Sequence, residues 1–245
     1  MNRRRFLAAS GLALLPLPAK AQQAIAAMRF SALQPGAELP PEYVTLAFST
    51  KKRRTIYALV AEEGRTALRA RADASAAGIV RRLRLDPRAL PLLAWSWKVT
   101  RLLEKSDIAK REGDDYPARL YVTFDLDVHT LPLGERLSLA VARAVQGDDV
   151  PAAALCYVWD ARARAGSILP NAHTSRVRML VVESGATRLG RWVGYERDVA
   201  ADYRRAFGAE PPAINGVAVS TDTDNTGETA ESFYGDVIFR PRRPS

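Results

Sequence analysis

Short apolar runs divided by polar turns dominate the chain, and most repeat every second residue, the period of a strand with one buried face. Over 93–99, Trp95, Trp97 and Val99 fall on one side, with Ser96 and Lys98 on the other. Over 120–124, Leu120, Val122 and Phe124 alternate with Tyr121 and Thr123. The runs 43–48 and 55–61 are bounded by polar clusters, and 66–72 alternates weakly. Residues 152–159 are continuously apolar, as are 177–182 apart from Arg178, so both predict central strands. Segments 214–220 and 232–240 complete the set. Turns fall at Asp86-Pro87, Gly113-Asp114 and Asn225-Thr226-Gly227.

Two stretches carry a helical period. In 134–146, Leu137, Ala140, Val141, Ala144 and Val145 form an apolar flank that ends at Gly147. In 198–207, Asp198 is the N-cap, Val199, Tyr203 and Phe207 share a face, and Gly208 is the stop. Roughly ten strands with two short helical insertions predict a mainly β, two-sheet, jelly-roll-like sandwich, because a doubly wound α/β fold needs a helix after most strands. The expected layout is an N-terminal extension over 22–42, a single β-sandwich domain over 43–240 and a basic tail over 241–245.

Ahead of these elements stands a leader, 1–21. Its Arg3-Arg4-x-Phe6-Leu7 resembles the twin-arginine export motif, and Ala19 and Ala21 suit a signal peptidase. The apolar run 8–17 is too short for a permanent transmembrane span. The expected partners are therefore the twin-arginine export machinery and signal peptidase, and the expected location is the periplasm or cell envelope. Cleavage would remove Arg3, Arg4, Arg5 and Lys20, lowering the formal charge from +9 to +5. That modest excess, together with export, argues against nucleic acid as a partner. The single cysteine, Cys156, lies in an apolar run and reads as a buried small residue. Two histidines cannot build a three-histidine zinc site, and no nucleophile elbow or nucleotide fingerprint occurs, so no catalytic residue is assigned.

Three polar clusters carry the candidate chemistry. Asp222, Asp224 and Thr226 alternate before Gly227 like the first half of a calcium loop. Phe233 occupies the place of the twelfth-position glutamate, which excludes a helical calcium hand and leaves a loop-borne calcium site against a plain polar turn. Asp114, Asp115, Tyr116 and Arg119 lead into the strand at 120–124, and Asn171, His173 and Arg176 precede the strand at 177–182. Trp192, beside Gly190, Arg191 and Gly194, looks less like a core residue than Trp95 and Trp97 do, and is the candidate aromatic platform for a sugar ring.

Gly113-Asp114-Asp115-Tyr116-x-Ala118-Arg119, Tyr157-Val158-Trp159, Asp202-Tyr203-Arg204-Arg205-Ala206-Phe207-Gly208 and Tyr234-Gly235-Asp236 together resemble an uncharacterised family of exported bacterial proteins, a domain of unknown function. A weaker similarity, through Ile214-Asn215-Gly216-Val217-Ala218-Val219, 222–225 and Tyr234-Gly235-Asp236-Val237, is to galactose-binding-like jelly-roll carbohydrate modules, where a structural calcium is common. These features lead to the expectation of a non-catalytic envelope protein that binds a glycan or another hydroxyl-rich ligand. The alternatives are a carboxylate-dependent polysaccharide hydrolase and a structural or protein-binding component of an envelope complex.

Overall fold

The alternating segments become strands of two stacked sheets. A computed structural model describes residues 23–47, 52–146 and 151–242, with side chains 141–146 excepted. The leader at 1–21, Lys51, Gly147 and the tail at 243–245 lie outside the described residues. Strands β1 (Ile25–Met28), β2 (Val44–Leu46), β3 (Ile56–Glu62), β4 (Arg65–Asp73), β5 (Ala76–Leu85) and β6 (Leu92–Val99) come first. Next are β7 (Ala118–Phe124), helix α1 (Leu133–Gln146), β8 (Ala153–Asp160), β9 (Ile168–Pro170), β10 (Val177–Ser184) and β11 (Val193–Asp198). Helix α2 (Val199–Phe207), β12 (Ile214–Asp222) and β13 (Thr229–Arg240) close the chain. One sheet has six strands in the order β11-β6-β13-β4-β3, with β1 also on β13; the other has seven, in the order β2-β5-β12-β7-β8-β10-β9. The architecture is the expected jelly-roll-like sandwich.

The alternation decides which atoms meet between the sheets. Leu120, Val122 and Phe124 of β7 face Trp95 and Trp97 of β6 across one core, joined by Tyr157, Tyr234 and Phe239. Trp95 packs edge-on to Trp97 at 5.6 Å and lies 5.0 Å from Tyr157, so these rings fill the centre of the layer. Strand β8 is buried along its whole length, as its unbroken apolar run requires. Cys156 on that strand is buried, and desolvation pushes its thiol up to about 12. At α2, the Asp198 carboxylate accepts the Ala201 N–H at 2.8 Å, and Gly208 ends the helix at φ 69°.

The structure departs from the reading above in three places. Part of the expected N-terminal extension belongs to the sandwich: β1 pairs with the end of β13, and Ala27, Met28 and Phe30 are core residues. Four residues are too few to show a period. Strand β5 hides behind Arg81, Arg82 and Arg84, yet its first four residues are buried, and Arg81 reaches the carbonyl oxygens of Ala26 and Ala27 at 2.9 and 2.7 Å. On helix α1 the described residues of the apolar flank, Leu137 and Ala140, are exposed. Leu133 and Leu137 are 68 and 60 % exposed, while Leu139 is buried. Among the described residues, no helix is long and apolar enough to cross a membrane.

Candidate functional site

Two of the polar clusters are one. The loop ahead of β7 and the loop after β12, about 110 residues apart, meet on the outer side of the seven-stranded sheet. Gly113 permits the first loop its tight course, since a Cβ there would stand 2.6 Å from the Asp107 nitrogen. Its carbonyl accepts the N–H groups of Asp107 at 2.9 Å and Asp115 at 2.8 Å, which aims both following carboxylates at the sheet. Alternation then puts Arg119 on the face of β7 opposite Leu120, paired in register with Ser220 and two residues from Asp222.

Arg119 is the hub. Its Nε donates to Asp222 Oδ1 at 2.8 Å, and Nη2 donates to the second Asp222 oxygen and to the Asp114 carbonyl at 2.6 Å. Nη1 donates to Asp114 Oδ1 at 3.3 Å and to the Tyr121 hydroxyl at 3.2 Å, while the Tyr116 ring lies 4.3 Å from the guanidinium centre. Asp115 accepts the main-chain N–H groups of Asn225 and Thr226 at 3.0 and 2.6 Å, and the Asn225 amide at 3.1 Å. The other Asp114 oxygen accepts Asn171 Nδ2 at 2.9 Å and has His173 Nε2 at 3.5 Å. Lys52 pairs with Asp224. Oxygens of Asp115, Asp222 and Asp224 lie within 4.8 Å of one another.

Most of this network is closed to solvent: Asp115 is 0 %, Arg119 3 % and Asp222 5 % exposed. Burial, with repulsion from Asp115 and Asp114, holds the Asp222 carboxyl up to about 7 against the pull of Arg119. Burial likewise raises Asp115, opposed by its bonds from Thr226. Desolvation works against the charge of Arg119, but Asp222, Tyr121 and Asp114 keep it well above its ordinary value. Arg119 engages Asp222, Asn225 and Thr226 engage Asp115, and Lys52 engages one oxygen of Asp224. Of the residues brought together, His173 is exposed and Asn171 half-buried, so they form the solvent side of the cluster. Sequence reasoning did not single out Lys52 or Asn225 as partners. Asn225 stood in the calcium-like loop, but Lys52 lay in a basic knot with no local signal.

Arg176 and Trp192 lie elsewhere. Arg176 donates to the Glu135 carbonyl of α1 at 3.3 Å. Trp192 belongs to the outer face of the six-stranded sheet, beside a groove of about 240 Å³ lined by Ser31, Arg65, Ser96, Gly235, Asp236 and Arg240, among others. The groove owes its floor to a bulge in β13 between Tyr234 and Val237. A Cβ on Gly235 would collide with Ser96 Oγ and lie 3.6 Å from Trp192 Cζ3. The guanidinium of Arg65 lies 4.0 Å from the centre of the Trp192 ring. The Trp192 indole N–H is buried without a hydrogen-bond partner among the described residues. Asp236 accepts Ser31 N at 2.9 Å and Ser31 Oγ at 2.6 Å. A larger concavity of about 540 Å³ holds Arg53, Arg71 and Arg101. These bond Asp73, Glu231 and Thr229, and that site has no aromatic wall. Another, of about 340 Å³, is lined mainly by apolar side chains of α1.

A family model described as Protein of unknown function (DUF3047) matches residues 41–238, and the chain belongs to that family. No curated protein matches. Among solved structures, the family 11 carbohydrate-binding module of the cellulosomal cellulase Lic26A-Cel5E of Clostridium thermocellum aligns with a TM-score of 0.44 and 7% identity, over 86% of this chain and 94% of that one. The Spr0440 glycoside hydrolase domain, Endo-D, from Streptococcus pneumoniae R6 aligns with a TM-score of 0.35 and 12% identity, over 83% of this chain and 22% of that one.

Proposed function

We propose that this member of the family is an exported, non-catalytic module of the bacterial envelope that holds a glycan or another hydroxyl-rich ligand in the groove beside Trp192. The observation that carries the reading is the groove of about 240 Å³ lined by Ser31, Ser96 and Asp236, with the Trp192 ring packed at its edge against Gly235. A sugar ring offers an apolar face to an aromatic wall and hydroxyls to polar neighbours, which Ser31, Ser96 and Asp236 supply here. The buried Asp114, Asp115, Tyr116 and Arg119 would then hold the loops of the opposite sheet and not touch ligand. The test is retention on glycan arrays and on peptidoglycan. Trp192→Ala is expected to weaken retention at least about tenfold, the scale of a lost aromatic hot spot, with the fold kept. Absence of retention by the unaltered protein on every glycan would overturn the proposal.

Calcium belongs to the same proposal as the ion of the second loop. Asp114, Asp115, Asp222 and Asp224 against Arg119 and Lys52 leave an excess of negative charge that one divalent ion balances. Entry of the ion requires Lys52 to release Asp224. Running the retention assay and a melting curve in calcium and in chelator reads this directly. Calcium is expected to raise the melting temperature, and Asp224→Asn to remove the rise; identical curves after confirmed metal removal refute it. Export rests on Arg3 and Arg4. Replacing both by lysine is expected to leave the chain unprocessed in the cytoplasm, and undiminished export of that variant would exclude the twin-arginine route.

A further inference from the structure

We propose that the groove selects an anionic saccharide and that Arg65 binds its acidic group. The inference rests on the reading of this groove as a glycan site. Several cations around it on the same sheet have carboxylate partners: Lys98 has Glu62 and Glu63, each at 2.6 Å, Arg71 has Glu231 at 2.6 Å, and Arg240 has Glu196 at 3.7 Å. Arg69, of the same strand as Arg65, has none among the described residues, but it does not line the groove. Arg65 is exposed and has no carboxylate partner among the described residues; its contact is the ring of Trp192. Contact with the ring holds the guanidinium at the groove without consuming its N–H donors, which stay available for hydrogen bonds. The acid that lines the groove, Asp236, bonds Ser31 through both oxygens and makes no ion pair with Arg65 among the described residues. A guanidinium held in this way beside a polar groove matches a carboxylate or phosphate with two parallel N–H donors. The ligand class is therefore a saccharide carrying a carboxylate, as in a uronic acid, or a phosphate ester.

Calorimetric titration of the purified protein with three oligosaccharides of equal length tests this: a uronate oligomer, a phosphorylated oligomer and a neutral oligomer. Whichever anionic oligomer matches is expected to bind at least about tenfold more tightly than the neutral one at low salt, the scale of one charge-assisted bidentate contact, and the advantage should shrink in high salt. The two anionic arms separate the carboxylate from the phosphate source. Arg65→Gln should abolish the difference between anionic and neutral oligomers with the melting temperature kept, whatever the level of neutral binding, whereas Trp192→Ala should weaken anionic and neutral binding together. Equal affinity for all three oligomers, or an anionic preference that survives in Arg65→Gln, overturns the assignment and leaves the glycan reading standing. Failure of all three to bind, with no other glycan retained, removes the glycan reading itself.

Discussion

Arg119→Ala is expected to lower the folding free energy by roughly 3–5 kcal/mol, the range for removing one partner of a buried ion pair. The loss comes from what stays behind. Asp222, 5 % exposed, would keep a buried carboxyl group with both Arg119 donors gone, and Asp114 would lose donors to its side chain and its carbonyl. The Tyr116 ring would also lose the guanidinium it packs against. Arg119→Lys cannot reproduce the fork, so it should recover only part of the loss. Arg119→Met combined with Asp222→Leu removes both charges and should recover more than either single change. Urea unfolding followed by circular dichroism measures all four proteins. A loss below about 1 kcal/mol for Arg119→Ala would show that the network is dispensable to the fold.

In metal-free buffer, stability is expected to fall as pH rises from about 4 to about 7, opposite to the usual behaviour of an ion-paired carboxylate. The sign follows from Asp222, whose carboxyl is held up to about 7 in the folded chain against an ordinary 3.8. Between those values the folded state keeps a proton that the unfolded state has released. The contribution is complete below the lower value and lost above the higher one. A separation of that size corresponds to roughly 4 kcal/mol at most. Asp115, also raised by burial, adds in the same direction. Asp198, which caps α2, is lowered, so its own contribution fades only at pH values below this window. Urea midpoints across the range, with Asp222→Asn expected to flatten the slope, provide the measurement. His173→Gln separates the imidazole beside Asp114 from the effect. A profile that rises or stays flat from pH 4 to 7 would rule out a protonated Asp222.

Much of the sandwich was legible because burial imposes a period. A strand with one wet face must alternate, as β6 and β7 do, and a strand covered on both faces must be apolar throughout, as β8 is. The missed strands fail for physical reasons. Strand β1 has four residues, β9 has three, and the arginines of β5 bury their stems while their charged ends find carbonyl oxygens or solvent. The apolar flank of α1 is visible as a period, yet its described members Leu137 and Ala140 are exposed. Periodicity reports that a face exists and says nothing about what lies opposite it.

The candidate residues divide in the same way. Their chemistry was visible locally: paired aspartates after a glycine, an Asp-rich loop, an asparagine and histidine before a strand, a tryptophan among glycines. Their company was not. Asp115 reaches Asn225 and Thr226, and Lys52 reaches Asp224, only because strands that are distant in the chain are neighbours in the sheets.

Taken alone, the sequence determined the two-sheet class, the helix limits at Asp198 and Gly208, and the buried place of Cys156, since each follows from short-range periodicity or capping. Tertiary structure decided that Asp114, Asp115 and Arg119 are interior and that Trp192 stands beside a groove. Burial and charge compensation depend on what the opposing chain brings to within a few ångströms, and short-range spacing does not encode that.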